Sequence, residues 1–375
     1  MNRRKFLGIT GLTVVVAGGA TYLLSDKKNF VRTDIKDHSS DVFPFQPAEK
    51  VILYLASLAP SGHNTQPWFI KYIEPYHWII GNDKSKWLPG VDPTQRETIL
   101  SIGAFIQNLE YAANNAGYAC QFNVLAVTNQ DENIAEVRLQ KTTAVTKYDI
   151  DKLKNRRTVR SGYLKDTLKK EDSAYLLENE NDFTHFIPGG SKEFTWLNEQ
   201  TIEANRIQAY RDAAQQELSE WIRFSGKDAQ KHLDGLTTAG MEINGFPGWL
   251  LRNFYQQKDV MSKKFREQGI DKVKDQVSAS AGWLLLTSKG YSVATLLETG
   301  KRFQRIFLKV RDKKIALHPM TQILEEAATK QLVNASIGIN DDIQFILRLG
   351  YLKNYPAPVS LRRPVNWFVR KFKMG

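Results

Sequence analysis

A chain of 375 residues, 42% hydrophobic and 25% charged, has a globular composition and is long enough for two ordinary domains or one large one. Its single cysteine, Cys120, excludes an intramolecular disulfide and Cys-rich zinc or iron–sulfur sites. The six histidines (His38, His63, His77, His185, His232, His318) lack metal-ligand spacing, so no metal is expected. A net charge of +12 suits an anionic ligand or an anionic membrane face. With no zinc finger or RNA-binding aromatic motif, nucleic acid is not expected as a partner.

In chain order, Asn2-Arg3-Arg4-Lys5-Phe6-Leu7 resembles the twin-arginine export signal, and the resemblance implies passage through the twin-arginine export machinery. The uncharged run Gly8–Leu24 follows, seventeen residues long. That length falls between a signal's apolar core and a spanning helix, which needs roughly 20 residues. Residues 1–28 are therefore a signal, either cleaved or retained as an anchor. The body is expected to be exported, to the periplasm or the outer face of the cytoplasmic membrane. Residues 29–45 read as a polar linker.

Pro47 and Glu49 open an apolar helical pattern that ends at Pro60, since proline lacks the amide hydrogen and clashes with the preceding turn. The polar corner Ala59-Pro60-Ser61-Gly62-His63-Asn64-Thr65-Gln66-Pro67-Trp68 comes next. Ser61, Asn64 and Gln66 are short or forked hydrogen-bonding side chains, and Gly62 permits close backbone approach. Residue by residue these are also ordinary turn formers. A hairpin of strands near Trp68–Ile73 and Tyr76–Gly81 is predicted, then a helix capped by Asp92 and running to about Ala116. Strands near Ala119–Val127 and Ile134–Leu139 complete the first part.

Asn155-Arg156-Arg157-Thr158-Val159-Arg160 places three arginines and a hydroxyl in five residues, the makings of a phosphate clamp or of a solvated basic turn. Beyond it, Leu197–Phe224 reads as a long amphipathic helix. The Gly-rich segment 234–249 reads as a lid or a packed connection. Trp283–Thr287 and Gln344–Leu349 read as strands, and Thr295 to about Val310 as a helix. Gly103-Ala104-Phe105-Ile106-Gln107-Asn108-Leu109 recurs loosely as Gly300-Lys301-Arg302-Phe303-Gln304-Arg305-Ile306, offset by 197.

Together the strings near 60, 156 and 360 (Ser360-Leu361-Arg362-Arg363-Pro364) resemble the nitroreductase superfamily, which binds flavin mononucleotide (FMN). The order is unusual, because the Arg motif lies far after the Pro-Ser-x-x-Asn motif instead of before it. The arrangement resembles the Acg-like, single-chain branch. The resemblance implies an α+β fold of two related halves, residues 46–150 and 151–375, forming a pseudo-dimer with mixed antiparallel sheets flanked by helices. It implies FMN bound by Pro60, Ser61, Gly62, Asn64, Gln66, Arg156, Arg157, Thr158, Arg160, Arg362 and Arg363, with the lid covering the flavin. No side chain is nominated as catalytic, since the flavin supplies the redox chemistry. The implied activity is reduction of a small-molecule electron acceptor, a nitro or quinone-like compound. The donor stays open between NAD(P)H and a membrane electron carrier. An FMN storage or sequestration protein with a closed lid is the alternative.

Overall fold

A computed structural model describes residues 26, 28–32, 45–144 and 146–371. The expected export signal, apart from Asp26 and Lys28, and residues 33–44 of the expected linker lie outside the described residues. Among those described, no helix is long and apolar enough to cross a membrane.

Helix α1 (Pro47–Ser57) starts where proline's missing amide costs nothing. Glu49 does more than meet the helix dipole. It is fully buried and accepts from the Gln46 amide at 2.7 Å, the Tyr76 amide at 2.7 Å and the Trp78 indole at 3.1 Å. One desolvated carboxylate thus ties the helix start to the hairpin of β1 (Trp68–Glu74) and β2 (His77–Asn82), each donor offsetting part of its desolvation.

The next helix, α2 (Arg96–Asn115), begins three residues later than its sequence signature indicates. Gln95 sits in the left-handed region at φ 57° and breaks the turn, so Asp92 caps from outside, accepting the Thr98 amide at 3.0 Å. Strands β3 (Tyr118–Val124) and β4 (Asn133–Lys141) follow. The long helix expected over Leu197–Phe224 is two helices, α3 (Lys192–Tyr210) and α4 (Asp212–Trp221). The chain turns extended at Arg211 (φ −84°, ψ 101°), whose guanidinium is drawn to Glu326 at 2.6 Å and to the Gly90 carbonyl. The Gly-rich segment is less irregular than expected, because Gly245–Phe254 forms helix α5. Helix α6 spans Lys263–Ser278 and α7 spans Val293–Lys309.

Two sheets organise the molecule, apart from a short parallel pair of β6 (Ile222–Arg223) and β7 (Leu236–Thr237). The first has order β11-β1-β2-β4-β3, where β11 (Val369–Lys371) comes from the far end of the chain and pairs parallel to β1. The second has order β5-β8-β10-β9, built from Thr184–Pro188, Gly282–Ser288, Asp342–Tyr351 and Ile315–Pro319. Leaving β11 aside, both follow the order first-second-fourth-third with every neighbour antiparallel. In each, one helix joins the second strand to the third: α2 and α7. The α+β class expected from sequence is the one observed.

Those two helices cross at the repeated glycines. A Cβ on Gly103 would collide with the Leu297 carbonyl, and one on Gly300 with the Leu100 carbonyl. The polar contacts are reciprocal too. Gln304 donates to Asn108 at 2.7 Å, and Arg305 donates to Gln107 at 2.9 Å. Adding the repeat's offset to one partner gives the other pair, the pattern of an isologous interface. Close backbone approach requires glycine at both positions.

Candidate functional site

The corner after α1 is tightly wound. His63, Asn64 and Gln66 all have φ between 44° and 56°, a conformation costly for residues with side chains unless surroundings enforce it. The enforcement is visible. Ser61 Oγ accepts the Gln66 amide at 2.9 Å, and the Asn64 amide donates to the Ser61 carbonyl at 3.0 Å. Asn64 Nδ2 donates to the Gly235 and Leu361 carbonyls, each at 3.2 Å. Arg362 donates to Asn64 Oδ1 at 2.7 Å and to the Leu58 and Ala59 carbonyls at 3.1 and 2.9 Å. Arg156 also reaches the Leu58 carbonyl, at 3.1 Å. Two guanidinia thus meet the negative end of α1.

Strings about 100 and 300 residues apart therefore converge. They wall a cavity of about 310 Å³ together with Gly235–Thr237 and part of the second sheet. Pro60, Ser61, Gly62, Asn64, Arg156, Thr158, Arg160, Ser360 and Arg362 all line it. The volume is at the lower edge of typical ligand sites, roughly 300–1,000 Å³. A second cavity of about 710 Å³ adjoins it, the two sharing Arg160, His318 and Gln322.

Three expected residues stay off this wall. Arg157 faces the other way, donating to Glu242 at 3.1 Å and to the Ala357 carbonyl at 2.5 Å. The cause is the alternation of an extended segment: positions 156, 158 and 160 share one side, while Val159 packs in an apolar cluster with Tyr163 and Ala316. Gln66 is fully buried and spent on structure, accepting the Arg363 amide at 2.9 Å and donating to the Leu233 carbonyl at 3.0 Å. Arg363 is buried beside it and donates to the Trp68 carbonyl at 3.0 Å. These two hold the corner against the C-terminal string and do not face the cavity.

The cavity is short of negative charge where the arginines gather. Burial first, and Arg32 second, hold the Arg156 guanidinium below its usual range. Burial and then Arg156 do the same to Arg362, more strongly. Glu242 is the acid nearest Arg157 and Arg160, accepting the Arg160 amide at 3.1 Å. His63 is pushed down to about 4, by burial and then by Arg160. His318 is driven well below its ordinary value by burial, Arg160, Arg348 and Lys272. Both imidazoles are therefore neutral near pH 7. The buried atoms His63 Nδ1, His318 Nδ1 and Arg362 Nε have no protein partner. Desolvated guanidinia and orphaned ring nitrogens fit a ligand that is anionic at one end and offers acceptor atoms elsewhere.

A carboxyl pair, not anticipated from sequence, also lines the cavity. Thr321 Oγ1 lies 3.2 Å from Glu97 Oε1 and 2.8 Å from Glu325 Oε1. The hydroxyl donates toward both carboxyls, and burial, then the Glu97 charge, push Glu325 up to about 8. Glu97 lies in the first turn of α2, a position that reads as dipole compensation. Glu325, in the connection after the strand Ile315–Pro319, and His318, within that strand, carry no local signal. His63 lies inside the corner string, and its neutral buried state is a tertiary property.

No family model matches the chain. It is 21% identical over 344 residues to a probable NAD(P)H nitroreductase, PigM, of Serratia sp. (strain ATCC 39006), covering 85% of this chain and 92% of that protein. It is 24% identical over 337 residues to a putative NAD(P)H nitroreductase, acg, of Mycobacterium tuberculosis (strain H37Rv), covering 84% and 93%. Among solved structures, a putative nitroreductase from Anabaena variabilis aligns with a TM-score of 0.40 at 11% identity, covering 82% of this chain and 88% of that one. The FMN-dependent nitroreductase NfnB from Mycobacterium smegmatis in complex with NADPH aligns at 0.37 and 15%, covering 59% and 96%. Overlaps this loose carry no weight for individual site residues.

Proposed function

We propose that this protein is an FMN-dependent oxidoreductase of nitroreductase type, reducing nitro or quinone-like compounds. The observation that carries the reading is the convergence of the corner near 60, the clamp at 156–160 and the string at 360–362 on one cavity. Arg156, Thr158 and Arg160 would hold the FMN phosphate, because guanidinium pairs bidentately with phosphate oxygens and these charges are otherwise under-compensated. Arg362, pinned between Asn64 and the end of α1, would add fixed positive potential near the ring. Bound FMN supplies hydride and electron transfer; the chain supplies position, charge and exclusion of water.

Glu325, protonated at neutral pH, holds a proton on the cavity wall, and Thr321 links it to Glu97. A reduction that consumes protons would find one there. The two relatives are named NAD(P)H nitroreductases, which favours a nicotinamide donor, with a membrane electron carrier as the other candidate. The reciprocal α2–α7 contact supports reading the chain as two fused halves. The arginine-led N-terminal string supports export.

Absorbance of purified protein tests the reading. Wild type should copurify yellow with FMN. Arg156→Ala should bind FMN about 30-fold more weakly, the loss of one charge-assisted pair worth about 2 kcal/mol. Arg157→Ala should retain FMN, its partners being Glu242 and Ala357. Colourless wild-type protein that cannot be loaded with FMN would sink the proposal.

A further inference from the structure

The second cavity, about 710 Å³, is well inside the size range of ligand sites, roughly 300–1,000 Å³. Helix α6 lines it with Phe265, Gln268, Gly269, Lys272, Val273 and Gln276, a spacing of three and four that marks one helical face. From Gln268 onward burial deepens along that face. Gln268 and Gly269 are exposed, Lys272 is half-buried, and Val273 and Gln276 are buried. The cavity therefore opens beside Gln268 and closes toward Gln276. Leu218, Ile222, Met241, Leu250, Leu251 and Met320 complete an apolar wall.

One charge on this wall lacks an opposite number. Lys272 spends a single hydrogen on the Met241 carbonyl, at 2.7 Å, and an ammonium has three to give. Glu242, the acid that lines the cavity with it, is already taken. It accepts from the Arg157 guanidinium and the Arg160 amide, each at 3.1 Å, and from the Ser161 hydroxyl. Burial, then the Arg160 charge, hold the Lys272 ammonium below its usual range, with Glu242 opposing them.

His318 is a second underused group on the same wall. It is 7% exposed, and its Nδ1 has no protein partner. Lys272 is close enough to help drive the imidazole below its ordinary value, so the ring is neutral near pH 7 and has one N–H to give. The Arg160 guanidinium, by contrast, donates to the Gly240 carbonyl at 2.7 Å and serves the first cavity.

An ammonium with unused donors beside a neutral imidazole, at the closed end of an apolar cavity, suits an anion that carries its own apolar body. An uncharged hydrocarbon would leave the ammonium desolvated and unpaired. One ammonium and one N–H match the two oxygens and single charge of a carboxylate better than a doubly charged phosphate.

We propose that the cavity lined by α5 and α6 is a second ligand site, which binds a long-chain carboxylate of the fatty-acid class, its head bonded to Lys272 and His318 and its chain along the apolar wall. The site does not depend on the flavin reading, because neither Lys272 nor the apolar wall lines the first cavity.

Isothermal titration calorimetry on the full chain tests this, with every probe kept below its micelle concentration. Dodecanoate should bind once per chain. Dodecyltrimethylammonium, the same tail on a cationic head, and butyrate, the same head without the tail, should each bind at least about 100-fold more weakly. Lys272→Met keeps the apolar stem and should weaken dodecanoate about 30-fold, while Lys272→Arg should keep most of the affinity. Gly269 has nothing within 4 Å of where its Cβ would stand, so Gly269→Phe should fill the groove and weaken dodecanoate without unfolding the chain. Equal affinity for dodecanoate and dodecyltrimethylammonium overturns the anionic head site. Unchanged dodecanoate affinity in Lys272→Met removes that residue from it. Absence of saturable binding in wild type overturns the site altogether.

Discussion

The two sheets share strand order and polarity but differ in how their first strand reaches the second. In the first sheet, Pro75 and Tyr76 suffice. In the second, residues 189–281 intervene, carrying α3 to α6 and the wall at 235–240. The common part makes the scaffold and the contact between central helices. The long excursion makes one cavity wall and nearly all of the second cavity. The first sheet, in exchange, carries the corner, and the far end of the chain closes it through β11. Equivalent scaffolds therefore hold unequal duties, and the cavities lie where the inequality is greatest.

The comparison breaks most readily at the crossing of α2 and α7. Gly300→Val drives a side chain into the Leu100 carbonyl, where nothing flexible can yield. It should cost about 3 kcal/mol or more, read as a lowered urea midpoint, with Gly103→Val behaving alike. If only one of the two were damaging, the reciprocity of the contact would be a coincidence of placement.

Asymmetry of the clamp comes next. Arg156→Ala and Arg157→Ala should part by about 30-fold in FMN affinity, although the residues are adjacent. Equal losses would mean that the alternation of the extended segment does not decide what reaches the ligand.

A smaller effect concerns pH. Glu325, raised to about 8, and Asp92, raised to about 7 by burial and then by Glu97, contribute stability that is complete below their unfolded values. It is lost as pH rises through 7 to 8. His63, lowered to about 4, works the other way. Its contribution is complete above about 6.5 and fades as pH falls through 4. Below about pH 6.5 the His63 gain offsets part of the carboxyl loss, so thermal stability followed from pH 4 to 9 should fall most clearly between about 6.5 and 8. Glu325→Gln should flatten that fall; an unchanged slope would remove Glu325 from the linkage.

The smallest expected change sits in the excursion. Gly269 lies inside α6 with open space beside it, so Gly269→Ala should stabilise by about 0.5–1 kcal/mol, measurable as a small rise in urea midpoint.

Much of this was legible in sequence because it is local. Pro47 and Pro60 delimit α1, alternating apolar residues give the hairpin, and the glycines at 103 and 300 mark the repeat. The three cavity-lining strings announce themselves by residue type. What failed locally failed for tertiary reasons. Arg211 breaks a helix because distant partners hold it there, whereas Gln95 winds left-handed within its own hydrogen-bonded turn; apolar periodicity records neither. Arg157, Gln66 and Arg363 look like ligand residues by type, yet each turns to a protein partner once the chain is folded. Glu325 and His318 acquire their protonation states only from what surrounds them. Residue type and spacing determined which groups were available and where helices and strands could run. The fold alone decided which side chains share a wall and which are stripped of water, because orientation and desolvation depend on neighbours far away in sequence.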